Sequence, residues 1–147
     1  MTAYDALQQE QWQIALDYQA GTDRGRQKRD GVVVTPVEVV DYIIRSAIDS
    51  LADRGATLTD PRVKITDPFG GTGVFLARLF QLSGLTGPAL DDLVGRCEMI
   101  DIDPDACKIA RENLGQVIRD LGGSAVPLIM TADTFMLDPV NLQRLAS

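Results

Sequence analysis

Histidine is absent from this chain of 147 residues, and cysteine occurs only twice. Without an imidazole there can be no Ser-His or Cys-His nucleophile pair. With Cys97 and Cys107 as the sole thiols, a structural zinc site lacks its usual donor set, and two thiols do not make a disulfide scaffold. Aromatic residues are 5% of the chain, too few to suggest a platform for stacking bases. Basic residues are outnumbered 14 to 21, giving a net charge of −7. That balance argues against a domain that grips nucleic acid unaided, because phosphate contacts supply most of such affinity. It leaves room for one part of a larger assembly whose basic groove lies elsewhere. No apolar run reaches the ~18 residues of a membrane span. Met1-Thr2-Ala3-Tyr4-Asp5 offers neither a basic start nor an apolar block, so no secretory signal is read and a cytoplasmic location is expected. Chemistry is left to carboxylates, hydroxyls, backbone groups or a cofactor.

What the chain has is a core-forming composition, 45% apolar and 24% charged, at the size of one domain. Residues 2–20 predict a helix, with Thr2 and Asp5 as a capping box and Leu7, Ile14 and Tyr18 as a moderate apolar stripe. Residues 22–30 read as a polar linker in which Arg24, Arg26, Lys28 and Arg29 cluster, either a solvated connector or a phosphate-contacting arm. Thr35-Pro36-Val37-Glu38 predicts a helix start with Thr35 as cap, Pro36 at the first position and Glu38 reaching back. Val37, Val40, Ile44, Ala47, Ile48 and Leu51 then recur at helical spacing.

From residue 62 the pattern alternates strand and helix. Val63 to Thr66 reads as a strand ending at Asp67, and Val74 to Gln81 as a buried helix. Residues 88–94 read as a short helix, Cys97 to Ile100 as a second strand ending at Asp101, and Val126 to Thr131 as a third. Between the last two lies a helix opened by Asp103-Pro104 and stopped by Gly122-Gly123. Residues 136–147 carry one or two weak helical turns. This is the pattern of an α/β fold, a partial doubly wound, Rossmann-like parallel sheet in the order 3-2-1 preceded by N-terminal helices. Residues 1–60 form the helical segment and 61–147 a βαβαβ half-domain.

Ligands of such sheets sit beyond the carboxyl ends of the strands, so the residues after each strand belong together. The first set is Asp67, Phe69, Gly70, Gly71, Thr72 and Gly73. The glycines permit a tight turn and close approach of a ligand to the main chain. Asp67 ahead of them would repel a pyrophosphate and welcome an ammonium. The second set is Asp101, Ile102 and Asp103. A carboxylate can accept from both hydroxyls of a ribose diol, and Asp101 lies further beyond Gly73 than the ~20 residues usual for that role because residues 84–94 intervene. Asp103 competes for it, its simpler role being the cap of the next helix. Ile102 could lie on an adenine face or in the core. The third set is Asp133 and Thr134, where Asp133 could accept from an adenine amine or from its own backbone. An ammonium, a ribose and an adenine together describe S-adenosylmethionine. No metal and no membrane are expected as partners.

Asp67-Pro68-Phe69-Gly70-Gly71-Thr72-Gly73-Val74-Phe75-Leu76 resembles the first motif of the adenine-N6 DNA methyltransferases, D-P-x-x-G-T-G-x-F-L. Ile100-Asp101-Ile102-Asp103-Pro104 resembles their second, Ala132-Asp133-Thr134-Phe135 their third, and Gly31-Val32-Val33-Val34-Thr35-Pro36 the upstream G-x-x-Y-T-P motif. Residues 35–44 are especially similar to the methyltransferase segment of single-polypeptide restriction–modification enzymes. The resemblance implies a class I methyltransferase fold. It places Asp67, Phe69, Gly71 and Gly73 around the methionine part of the cofactor, Asp101 on the ribose, Ile102 on the adenine, Asp133 on its amine and Thr35 near the carboxylate. The reaction it implies is methyl transfer to a flipped-out adenine, with DNA bound through the complete enzyme.

Two departures stand out. Val34 replaces the usual tyrosine, and no N/D-P-P-Y/F motif for the target adenine follows the third motif. The chain is therefore expected to supply the donor site and no catalytic residue, to be inactive alone, and to need a complementing methyltransferase half or self-association. Alternative readings are a non-catalytic cofactor-binding subunit or remnant of a split methyltransferase, or a methyltransferase acting on protein or small molecules.

Overall fold

The computed structural model describes residues 2–22, 25 and 33–137. The basic cluster of Arg24, Arg26, Lys28 and Arg29, the pair Gly31-Val32, and the helical turns expected over residues 138–147 lie outside the described residues. The described elements are α1 (Ala3–Gly21), α2 (Val37–Asp53), β1 (Ile65–Asp67), α3 (Val74–Leu82), α4 (Gly87–Val94), β2 (Cys97–Asp101), α5 (Pro104–Asp120) and β3 (Leu128–Thr131), followed by a 3-10 turn at Thr134–Met136. Among the described residues the fold is α/β, with the five named helices around a three-stranded parallel sheet in the order β1-β2-β3. That architecture is compatible with part of a Rossmann-like fold. No helix among the described residues is long and apolar enough to cross a membrane.

The sheet is short and its register tight. Ile65, Thr66 and Asp67 face Cys97, Glu98 and Met99, and Met99, Ile100 and Asp101 face Ile129, Met130 and Thr131. Two strands begin later than their sequence suggests. Val63 donates to the Asp60 carbonyl in a turn and so is not free for the ladder. Pro127 has no N–H to donate, and β3 begins directly after it. One apolar cluster joins Cys97, Met99 and Ile129 of the sheet with Val40 and Ile44 of α2, Leu76, Leu79 and Phe80 of α3, and Ala110, Leu114 and Val117 of α5. Both cysteines are free and buried, and burial pushes the Cys97 thiol up to about 12.

Helix starts follow local chemistry with one exception. The Thr2 hydroxyl accepts from the Asp5 N–H at 3.1 Å while the Asp5 carboxylate accepts from the Thr2 N–H at 2.9 Å, the reciprocal capping box. Asp103 caps α5 by accepting from the Asp105 N–H at 3.0 Å. At α2 the expected cap at Thr35 is not formed. Pro36 itself occupies the cap position, no side chain bonds there, and its carbonyl accepts from Val39 and Val40. Proline's fixed φ is already suited to the helix entry, which leaves the threonine hydroxyl one residue too early.

The apolar stripe expected on α1 is buried only in part, with Ile14 and Tyr18 half-buried. Leu7 is exposed, whereas Gln11 and Ala15 are buried. The inward side is largely polar: Gln11 exchanges hydrogen bonds with Asn113 of α5, Gln8 donates to Asp41 of α2 at 3.1 Å, and Tyr18 donates to Asp103. On α2, Val37, Val40 and Ile44 are buried, Ile48 and Leu51 are half-buried, and Ala47 is exposed.

The deepest polar feature is an ion pair. Arg78 of α3 donates from Nε and Nη2 to the two carboxylate oxygens of Asp41 on α2, at 2.8 and 2.9 Å, with both side chains buried. A bidentate pair of this kind is geometrically demanding, and removing one partner strands the other charge away from water. Arg78→Met is expected to lower unfolding free energy by about 3–5 kcal/mol in urea titrations, while Arg78→Met combined with Asp41→Leu recovers most of the loss.

Candidate functional site

The three segments that follow the strands meet at one end of the sheet. The loop after β1 is tied down first. Gly70 donates to the Ile100 carbonyl at 2.9 Å, which brings the loop flat against β2. A Cβ at Gly70 would lie 2.3 Å from Cε of Met99, so no other residue fits without moving a buried side chain. Gly73 has φ of +83° and turns the chain into α3, and a Cβ there would press on Leu114. The sequence thus has glycine where the backbone approaches β2 and where it reverses hand.

Asp101 stands at the β2 tip and organises what surrounds it. One carboxylate oxygen accepts from the Gly71 N–H at 2.8 Å and the other from the Asp103 N–H at 2.9 Å. A carboxylate has about four acceptor positions, so two remain for further donors. Asp133, at the end of the loop after β3, accepts from the Phe135 N–H at 3.0 Å. Thr134 donates to the Pro68 carbonyl and draws the third segment onto the first. The rings of Phe69 and Phe135 pair at 5.5 Å with a 42° tilt, and both are largely exposed.

These segments line a cleft of about 380 Å³. Of the residues expected at the site, Thr35, Phe69, Gly70, Gly71, Thr72, Asp101, Ile102, Asp133 and Thr134 line it. Asp67 and Gly73 do not. Ile102 is half-exposed and available for contact, whereas Thr72 is buried. Sequence reasoning missed Ala15 and Tyr18 of α1, which line the same cleft with Val33, Val34 and Phe135. The available signal was the row of polar positions Gln8, Gln11 and Tyr18, at helical spacing where an apolar stripe would normally lie.

Asp67 lies at the β1 tip between this cleft and a second concavity. Its Oδ1 accepts from the Phe69 N–H at 3.2 Å, while Oδ2 is buried with no hydrogen-bond partner. Burial pushes its carboxyl up to about 6, the Phe69 N–H opposing and nearby Asp101 adding to the rise. The second concavity, about 560 Å³, is apolar. It runs beside β1 between Ile43, Ala47, Ile48 and Leu51 of α2 and Phe75 and Leu79 of α3, with Asp67 and Pro68 at its end.

Similarity to solved structures supports this architecture. The chain is similar to part of the protein in a cryoEM structure of a DrdV–DNA complex, with TM-score 0.74 and 23% identity over 85% of this chain and 13% of that one. It is also similar to a nuclease-deletion mutant of the Type ISP restriction–modification enzyme LlaGI in complex with a DNA substrate mimic. There the TM-score is 0.61, with 31% identity over 70% of this chain and 10% of that one. The ATP-dependent Type ISP restriction–modification enzyme LlaBIII bound to DNA matches with TM-score 0.59 and 29% identity over 77% of this chain and 9% of that one. The chain therefore spans between 9% and 13% of the length of these proteins. No family model matches it, and no curated protein sequence is significantly similar.

The pH response of Asp67 follows from its raised pKa. An acid with folded pKa about 6 against an ordinary 3.8 binds more protons folded than unfolded across that window. Its contribution to stability is therefore present below pH 3.8 and is lost as pH rises to about 6, a cost on the order of 2–3 kcal/mol above it. Asp67→Asn is expected to flatten that part of the stability–pH curve and to unfold at higher urea than wild type at pH 7. An unchanged slope between pH 4 and 6 would show that Asp67 titrates normally.

Proposed function

We propose that this chain is the S-adenosylmethionine-binding part of a DNA-modifying methyltransferase, of the adenine-N6 class and the restriction–modification type. The observation that carries the reading is the cleft at the strand tips, built from a glycine-rich loop and Asp101, on a chain similar to segments of DNA-bound restriction–modification enzymes. Asp101 has acceptor capacity left for two ribose hydroxyls. Ile102 offers an apolar half-exposed surface for an adenine, and Asp133 an acceptor at the cleft wall. At the methionine end the fit is partial, because Asp67 stands at the β1 tip and does not line the cleft. Its buried, unpartnered Oδ2 is an acceptor that an ammonium would complete only by reaching past the loop, and a cation there would bring the raised carboxyl back into its charged form. When bound, the cofactor supplies the transferable methyl. The chain's own residues supply binding and orientation, through acceptors for the hydroxyls and amines and a loop backbone open to the ligand.

In this reading the chain gives the donor half of the site. The half that receives a flipped adenine, and the basic surface that holds DNA phosphates, come from other parts of the enzyme. A net charge of −7 accords with that division. Among the described residues β1 is an edge strand, bonded only to β2, beside the apolar groove. That edge is where a complementing methyltransferase half, or a second copy in its absence, adds to the sheet.

Two measurements test the reading. In titration calorimetry the chain binds S-adenosylmethionine, Asp101→Ala abolishes the heat, and Asp101→Asn weakens binding about tenfold, the worth of a charge-assisted hydrogen bond. Equal affinity in wild type and Asp101→Ala would remove Asp101 from the site. In light scattering the isolated chain exceeds its monomer mass and binds an apolar dye at the groove. A monodisperse monomer with no dye uptake would count against the incomplete-sheet reading.

A further inference from the structure

α1 reaches the glycine loop through a single buried amide pair. The Gln11 side chain donates to Asn113 Oδ1 at 2.7 Å, and Asn113 Nδ2 donates back to Gln11 Oε1 at 2.8 Å. The same Nδ2 also donates to the Thr72 carbonyl at 3.0 Å. Gln11 and Asn113 are both buried, and Thr72 is a buried residue of the cleft wall that immediately precedes the left-handed Gly73.

The orientation of the Asn113 amide decides what the loop meets. With Nδ2 toward Thr72, the carbonyl is held by a donor. Turned over, Asn113 would set its own carbonyl against that of Thr72, and both would lose their partners. The Thr72 carbonyl itself selects the first orientation, since it can only accept. Gln11, whose amide can turn over to match either orientation, completes the partners of Asn113 and so pins that side chain in place beneath the loop. The inward side of α1 continues the arrangement. Ala15, one turn on, lines the cleft, and Tyr18, nearly one turn further, also lines it and donates to Asp103 beside Asp101.

We propose that Gln11 is a positioning residue for the glycine loop: through Asn113 it fixes the Thr72 carbonyl and hence the backbone between Gly71 and Gly73 on which the ligand rests. The inference builds on the reading of the cleft as an adenosyl site and adds to it a role for a helix remote in sequence.

The test uses the full chain, S-adenosylmethionine as probe, and hydrogen exchange at the Gly71 and Gly73 amides with the β2 amides as internal reference. Gln11→Met keeps the volume and strands Asn113. It is expected to weaken binding roughly tenfold and to speed exchange at Gly71 and Gly73 relative to β2. Gln11→Leu with Asn113→Leu removes both polar partners, so stability returns toward wild type while the Thr72 carbonyl stays unheld. Its affinity is expected to remain about tenfold down and its loop exchange fast. A double variant that binds as wild type, or a Gln11→Met variant with unchanged binding and loop exchange, would overturn the positioning role. If the wild-type chain does not bind the probe, the adenosyl reading fails. The exchange ratio still decides whether Gln11 holds the loop.

Discussion

One carboxylate underlies the arrangement at the strand tips. Asp101 receives the N–H of Gly71 on one oxygen and that of Asp103 on the other. The first bond curls the loop after β1 back over the β2 tip. The second sets the turn that lets Asp103 cap α5. Loop, strand and helix start are thus referenced to a single group, which shapes the cleft between them. Charge-assisted bonds of this sort are among the stronger ones in a protein, which suits a group that must hold three segments together.

That choice concentrates negative charge. Asp67 and Asp101 are close enough for the charge on Asp101 to raise the Asp67 carboxyl, and Asp103 and Asp133 line the same cleft as Asp101. Asp103 and Asp133 relieve part of the cost locally by accepting from backbone N–H groups. Asp67 has one such bond and one orphaned oxygen. A site assembled this way is better matched to cations and hydrogen-bond donors than to phosphate, and the absence of histidine means no ring nitrogen shares the load.

The parts of this structure that could be read from the sequence are those settled within a few residues. The Thr2–Asp5 box, the Asp103 cap, the glycine turn and the alternation of strand and helix all arise from neighbours in the chain, and the strand order follows from the connections. Strands β1 and β3 start later than the pattern suggests because Val63 and Pro127 look apolar and extended while their N–H groups are engaged or missing. What the sequence hid was long-range and polar. Arg78, in a helix that reads as apolar nearly all round, is buried because Asp41 meets it from a different helix. Gln11 and Asn113 are 102 positions apart, and neither residue alone signals a buried partner. Hydrophobic periodicity therefore orients α1 only in part: Leu7 faces solvent, and the helix docks largely by amide and hydroxyl groups. Of the cleft residues contributed by α1, Tyr18 belongs to the expected stripe, whereas Ala15 does not.

The loop after β1 also separates two concavities of opposite character. Phe69, Gly70, Gly71 and Thr72 face the polar cleft, Asp67 and Pro68 end the apolar groove, and Phe75 lines both. Whatever covers the groove removes water from the same end of β1 that carries the Asp67 carboxyl. Further desolvation raises the cost of its charge, while a donor reaching Oδ2 lowers it. Covering the β1 edge and binding a cationic group at the strand tips thus act on one titratable side chain with opposite sign. The hydrogen-bonded loop between them is short and anchored at Gly70 and Gly71, so a shift of β1 passes to the cleft wall with little slack. On this geometry the groove and the cleft share one wall, the segment from Asp67 to Phe75.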